Sequence, residues 1–298
     1  MSETVKARGY ADRAYLEKVT EAMTAFRQDD RLAGLYDVGD LNWWWRDGDY
    51  RKPDKQMFWE DEHGSVLAFG LLSHDYRAFD YEFLPSLGES HEAVQAMFRW
   101  GLDGLRKMAE SQVGTHQLMV RDSHSTLRGL AEQAGLEPSG HAHVLTVLEL
   151  PASIRVPDIA GYRVRSLCDS DLVDGGTPVL HQKADALKRV QETPLYDRDL
   201  HLVVETPDGR LAAECIVWLD GVNHIGIFEP VRTHPDFYRR GLGKLMLSEG
   251  LRRMSERGVT LAKVAHNRDN PAAKRLYESL GFRKIFEELE YTLTRELS

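Results

Sequence analysis

Residues 228–244 (FEPVRTHPDFYRRGLGK) constrain this chain more than any other stretch. An apolar run with strand character stops at Pro235, a basic glycine-bearing turn follows, and 242–254 reads as an amphipathic helix. Glycines at 241 and 243 let the backbone approach a ligand closely and point N–H groups inward. The helix adds its positive dipole end, and Arg239, Arg240 and Lys244 add full charges. Such a turn suits a diphosphate. A Walker loop would need Gly where Tyr238 stands and Ser or Thr where Leu245 stands. A dinucleotide fingerprint would need a third glycine at the place of Met246.

The next 40 residues narrow the choice. A β-rich run at 259–264 leads into Asn270-Pro271-Ala272-Ala273, then Leu276-Tyr277, and finally Leu280-Gly281-Phe282. Asn270 caps a helix, Ala273, Leu276 and Tyr277 share one of its faces, and Gly281 ends it. Strand, basic glycine turn, helix, strand and a second helix ending in Leu-Gly-Phe resembles the GNAT superfamily of acyl-CoA-dependent N-acyltransferases. The resemblance runs from about residue 161 to the C-terminus. One place departs from it: the family's turn usually opens with Arg or Gln, and here that place holds Tyr238. Its backbone N–H can still serve, with Arg239 and Arg240 supplying charge nearby.

The resemblance implies acetyl-CoA as the cofactor, held by Val231, Arg232, Thr233, Tyr238, Arg239, Arg240, Gly241, Leu242, Gly243, Lys244, Asn270, Ala273 and Tyr277. It also implies that the sheet splays at the central strand, 224–233, freeing main-chain N–H groups around 231–233. Amide formation needs a neutral amine, a donor to the thioester oxygen and a proton for the leaving thiolate. The N–H of Val231 fits the second need. Tyr277 stands where the family places the acid; read without the family, it is a core aromatic on a helix face. Glu229 is a base if its carboxylate faces the cleft, and a solvated strand residue if it points away.

The chain reads as written twice. The turn ending at Gly64 resembles the turn ending at Gly209, 145 residues on, and the helix end at Gly135 resembles that at Gly281, 146 residues on. Each half carries a long helix between these landmarks, at 90–108 and 243–257. The fold class expected is therefore α/β with a mixed (α+β) sheet, in two tandem GNAT-like domains, each a mostly antiparallel central sheet flanked by helices. Their expected bounds are 1–150 and 161–298, joined by a linker at 151–160. In the first half the place of the glycine turn holds Glu89 and no arginine pair, Ala131 replaces Tyr277, and His124 replaces Asn270. The first domain thus reads as degenerate, without a cofactor site, and the second as catalytic. In the second, 162–166, 202–205, 211–219 and 224–233 read as strands, and 285–293 closes the sheet.

Composition excludes several classes. A net charge of −9 argues against nucleic acid as partner, and an apolar fraction of 42% argues against disorder. Cys168 and Cys215 are too few and too distant for a disulfide framework or a metal site, and no stretch has membrane-spanning length. A cytoplasmic monomer or homodimer is expected, with no membrane partner. The acceptor side offers His181, Gln182, Tyr196, Trp218, Asp220 and His224, each as readily packing or surface as recognition. Trp43-Trp44-Trp45 reads as a core or interdomain plug rather than a cation–π pocket. The activity expected is transfer of an acetyl group to a primary amine of a small molecule. The alternatives are a peptide or protein N-acetyltransferase and a non-catalytic acyl-CoA sensor.

Overall fold

The structure is a computed structural model and describes residues 5–11, 14–39, 52–168, 171 and 190–296. The Trp43–Trp45 run, His181, Gln182 and the glycine-rich stretch at 175–178 lie outside the described residues. The chain divides into two compact units that are not contiguous in sequence. The first comprises residues 1–145, 267–269 and 285–298, and the second 146–266 and 270–284.

The first unit contains β1 (Lys6–Arg8), α1 (Ala14–Asp29), β2 (Gln56–Glu60), β3 (Val66–Ser73), β4 (Ala78–Phe83), α2 (Glu92–Ser111), β5 (Gly114–Arg121) and α3 (Ser125–Gln133). β1 to β4 form an antiparallel meander, and β5 returns parallel to β4. Strand alternation sends apolar side chains to both faces of this sheet, and a helix covers each face. Val94, Phe98 and Leu105 of α2 pack against Phe79 and Leu118, whereas Tyr15, Met23 and Phe26 of α1 pack against Phe58 and Phe69. Gly101 permits the α2 contact, because a Cβ there would stand 2.1 Å from the Phe79 ring.

The second unit repeats the order. β7 (Arg163–Ser166), β8 (His201–Glu205), β9 (Leu211–Asp220) and β10 (Ile225–Thr233) are antiparallel neighbours. Then come α4 (Leu242–Glu256), β11 (Leu261–Asn267), parallel to β10, and α5 (Pro271–Ser279). Leu247, Leu251 and Met254 of α4 bury against Cys215, Val217 and Phe228 of the sheet. Hairpin, long helix, parallel strand and short helix thus occur in the same sequence order in both units. The mixed sheets and flanking helices expected from the sequence are present.

The last strands depart from expectation. The run expected to close the second half's sheet is β12 (Arg283–Arg295), and it pairs antiparallel with β5 of the first unit, from Glu288↔Arg121 to Arg295↔Gly114. Conversely, β6 (Glu137–Glu149) enters the second unit at Thr146. There the Thr146 hydroxyl donates to the Val264 carbonyl at 2.9 Å, and the Leu150 N–H to the Thr260 carbonyl at 2.9 Å. Alternation in sequence specifies a strand and its buried face, but both halves offer the same kind of neighbour, so it leaves the partner open.

Candidate active site

β10 and β11 are paired only at Ile225↔Leu261, Gly226↔Ala262 and Ile227↔Lys263. Just beyond, the pairing of β10 with β9 shifts register between Phe228 and Val231. A bulge at this place bends the strand and frees backbone groups; the irregular residues are Glu229 and Pro230, and Val231, Arg232 and Thr233, where the resemblance placed the cofactor's main-chain contacts, follow in register with Cys215, Glu214 and Ala213.

The chain then makes a 3₁₀ turn, Pro235–Phe237, capped by His234, and enters α4 through Gly241 in the left-handed region at φ 78. Arg239 is also left-handed, at φ 62. The first helical bond runs from the Leu245 N–H to the Gly241 carbonyl, so the amides of Leu242, Gly243 and Lys244 have no helical acceptor. Gly243 has a second use: a Cβ there would stand 3.0 Å from Leu276 of α5. The three cations play different parts. The Arg240 guanidinium donates to the Tyr162 hydroxyl at 3.0 Å and the Asp236 carbonyl at 3.1 Å, and Lys244 donates to the Ser279 carbonyl at 3.0 Å. Arg239 is exposed, as is Tyr238.

α5 begins as expected, with the Asn270 side-chain oxygen accepting from the Ala273 N–H at 3.1 Å. Ala273 and Leu276 are partly buried against the second unit's core. Tyr277 is 5% exposed, with its ring beside His266 at 5.8 Å and Phe282 at 6.0 Å. Burial, with Glu229 and Cys215 nearby, pushes the Tyr277 phenol well above its ordinary value, so it stays protonated. Glu229 itself is half-buried; desolvation pushes its carboxyl up to about 7, and Arg232 opposes the shift. The Glu229 charge thus adds to the rise of the Tyr277 phenol, which holds its proton, while the Glu229 carboxyl is itself held up to about 7.

Sequence-named acceptor residues fall in different places. The buried Trp218 donates its indole N–H to the Glu229 carbonyl at 2.7 Å and so holds the irregular stretch of β10. Asp220 closes the β9–β10 turn, accepting from the Val222 and Asn223 amides at 3.0 Å each, and His224 reaches the Gly258 carbonyl at 3.1 Å. The Tyr196 hydroxyl lies 2.9 Å from His201 Nδ1, whose Nε2 lies 2.5 Å from the Glu214 carboxylate, both of the latter fully buried. Sequence reading missed His201 and Glu214. Each sits in an otherwise apolar strand, which was the available cue, but only register makes them diagonal neighbours across the ladder. Among the described residues no group of three His, Cys, Asp or Glu side chains is placed to hold a metal ion, and no helix is long and apolar enough to cross a membrane.

The chain is similar to several known proteins. Residues 203–291 match the family described as FR47-like protein. The chain is 34% identical over 107 residues to the mycothiol acetyltransferase of Kineococcus radiotolerans, an alignment spanning 36% of this chain and 34% of that protein. It is 40% identical over 93 residues to the ribosomal protein bS18 alanine N-acetyltransferase of Salmonella typhimurium, spanning 30% of this chain and 60% of that one. The matches thus cover about a third and three fifths of these relatives. In fold it is similar to a GCN5-related N-acetyltransferase from Sphaerobacter thermophilus, with TM-score 0.66 and 16% identity over 97% of this chain and 95% of that one. It is likewise similar to a tandem GNAT protein from the clavulanic acid biosynthesis pathway, with TM-score 0.67 and 14% identity over 99% and 100% of the two chains. In fold, then, the chain is similar to tandem GNAT proteins. The likeness to the GNAT superfamily read from residues 228–282 is borne out, with the FR47-like match lying over that region.

Proposed function

We propose that this protein is an acetyl-CoA-dependent N-acetyltransferase that acetylates a primary amine of a small molecule, with its chemistry in the second unit. The observation that carries the reading is the Glu229–Tyr277 pair beside the irregular stretch of β10. The chain fits the cofactor: the left-handed Arg239 and Gly241, the unbonded first-turn amides of α4 and an outward guanidinium make an anion cradle. Acetyl-CoA supplies the activated acyl group as a thioester. Glu229, poised near neutrality, takes the proton of the incoming ammonium group. The Val231 N–H donates to the carbonyl oxygen as it gains charge, and the Tyr277 phenol gives its proton to the departing sulfur. Trp218 keeps Glu229 in place through its backbone.

The first unit serves as a scaffold without a cofactor site in this reading. Glu89 stands just before α2, and its carboxylate accepts from the Leu127 N–H at 3.0 Å, so the chain's own anion takes the start of α3. The name of the Salmonella relative supports a second reading, with a protein α-amine as acceptor. A screen of small amines and short peptides with acetyl-CoA, following thiol release, separates the two. Turnover of small amines with a 10²-fold or greater loss in Tyr277→Phe is expected. Turnover restricted to peptides, or an undiminished Tyr277→Phe, contradicts the proposal.

A further inference from the structure

The second unit buries a histidine–carboxylate pair inside its sheet. His201 of β8 and Glu214 of β9 are both fully buried, with Nε2 2.5 Å from the carboxylate. Leu202, Cys215 and Val217 face the α4 side of the sheet, so alternation sends His201 and Glu214 to the other face. There His201 stands opposite Ile216, Glu214 opposite Val203, and Trp218 opposite Ile227. These four neighbours are buried and apolar. A buried polar pair is weak support for stability, because apolar residues of similar size often serve a fold as well or better. What the pair touches is more telling.

Three contacts lead from it to Glu229. The Tyr196 hydroxyl lies 2.9 Å from His201 Nδ1. The Tyr196 ring meets the Trp218 ring edge-on, with centroids 6.4 Å apart. The Trp218 indole N–H donates to the Glu229 carbonyl at 2.7 Å. The first contact holds in either state of the imidazole: the hydroxyl donates to Nδ1 of a neutral ring and accepts from the N–H of a charged one. Burial pushes the Tyr196 phenol up to about 12, against a side-chain hydrogen bond from Gln191, so the hydroxyl keeps its proton. The last contact falls at Glu229 and Pro230, where β10 loses register with β9. A bulged stretch lacks its full set of ladder bonds, and the indole supplies one from a side chain. Glu214 also stands directly opposite Arg232 in the β9–β10 register, and Arg232 is the cation that opposes the rise of the Glu229 carboxyl.

We propose that His201 and Glu214 are positioning residues for Glu229: they fix the Tyr196 ring, which seats the Trp218 indole, which holds the Glu229 backbone and with it the depth of the carboxyl group. As a contribution to catalysis this rests on the reading of Glu229 as the base; as a coupling within the fold it does not. Desolvation sets the sign of the effect. Burial holds the Glu229 carboxyl up to about 7, with Arg232 on its own strand opposing and the nearby Tyr277 phenol of α5 still protonated. A Trp218 ring free to shift loosens the bulge, admits water and lowers the carboxyl toward its ordinary value.

The Trp218 indole N–H reports on this without turnover. The whole chain has six tryptophans, and in nitrogen-15 spectra the Trp218 resonance is identified by its loss in Trp218→Phe. It is expected to titrate with the Glu229 midpoint, about 7, and to stop doing so in Glu229→Gln. Tyr196→Phe should move that midpoint down by about half a pH unit or more and speed exchange of the indole proton about tenfold or more. Replacing the buried pair by leucines, His201→Leu with Glu214→Leu, leaves Gln191 in place, should fold, and is expected to do the same. With an amine that is turned over, Tyr196→Phe should lower kcat about fivefold or more, move the pH–rate limb with the indole midpoint, and leave coenzyme A affinity unchanged. That loss should vanish in a Trp218→Phe background. An indole midpoint and exchange rate unchanged in Tyr196→Phe or in the leucine pair, or equal kcat losses with and without Trp218, would overturn the proposal. Indole shifts as expected in a chain that acetylates no amine would support the coupling and contradict the proposed function instead.

Discussion

At the residue scale, the proposed reaction turns on Glu229. Its carboxyl is raised from the ordinary carboxylate value to about 7 by burial, so the fold favours the protonated form. Stability from this group is complete below about pH 4.5 and is lost as the pH rises through about 7. Catalysis has the opposite need, because only the ionised form accepts a proton. Glu229→Gln is therefore expected to raise the melting temperature at pH 8, by at most about 3 kcal/mol in stability, with little gain at pH 4.5. It is also expected to remove an activity limb near pH 7 and lower kcat about 10²-fold. Melting curves and pH–rate profiles at both ends check this; a variant that keeps the limb contradicts the role. The sequence made Tyr277 legible, because its place is set by a local helix pattern from Asn270 to Gly281. It left Glu229 undecided, because the depth of a strand residue depends on what packs over it and on a register shift that no local pattern encodes.

At the scale of elements, the turn into α4 depends on Gly241. At φ 78 a side chain is strained, and a Cβ would stand 3.3 Å from Ile159. Gly241→Ala is expected to cost about 1–2 kcal/mol and at least tenfold in coenzyme A affinity, measured by denaturant unfolding and calorimetry. Unchanged affinity would show that the amides of this turn do not touch the ligand. Elements with local signals were legible to within a few residues: the hairpin at Asp208-Gly209, α4 behind its glycines, and α5 between Asn270 and Gly281. Gly243 was read as a ligand-facing position, and its contact with Leu276 shows that helix packing also requires it small. Such a contact is between segments 33 residues apart and leaves no mark on either.

At the scale of the whole molecule, the duplication was legible from two spacings, and both units repeat the same element order. The exchange of last strands was not, since β12 carries the same alternation whichever sheet receives it. It has a testable consequence. Tyr291, only seven residues from the C-terminus, is buried in the first unit's core and its hydroxyl donates to Glu132 at 3.1 Å. Tyr291→Ala is expected to cost about 3–5 kcal/mol and to loosen amide protection in β3, β5 and α2. Loss of protection confined to β8–β10 would contradict the pairing with β5. The two units also divide by charge: one offers guanidinium groups and free amides before its long helix, the other Glu89. Titration of the chain with coenzyme A tests this division most directly. One molecule per chain is predicted, with affinity at least tenfold weaker in Arg239→Glu and unchanged in Glu89→Gln. Two molecules per chain, none, or binding indifferent to Arg239→Glu would contradict it.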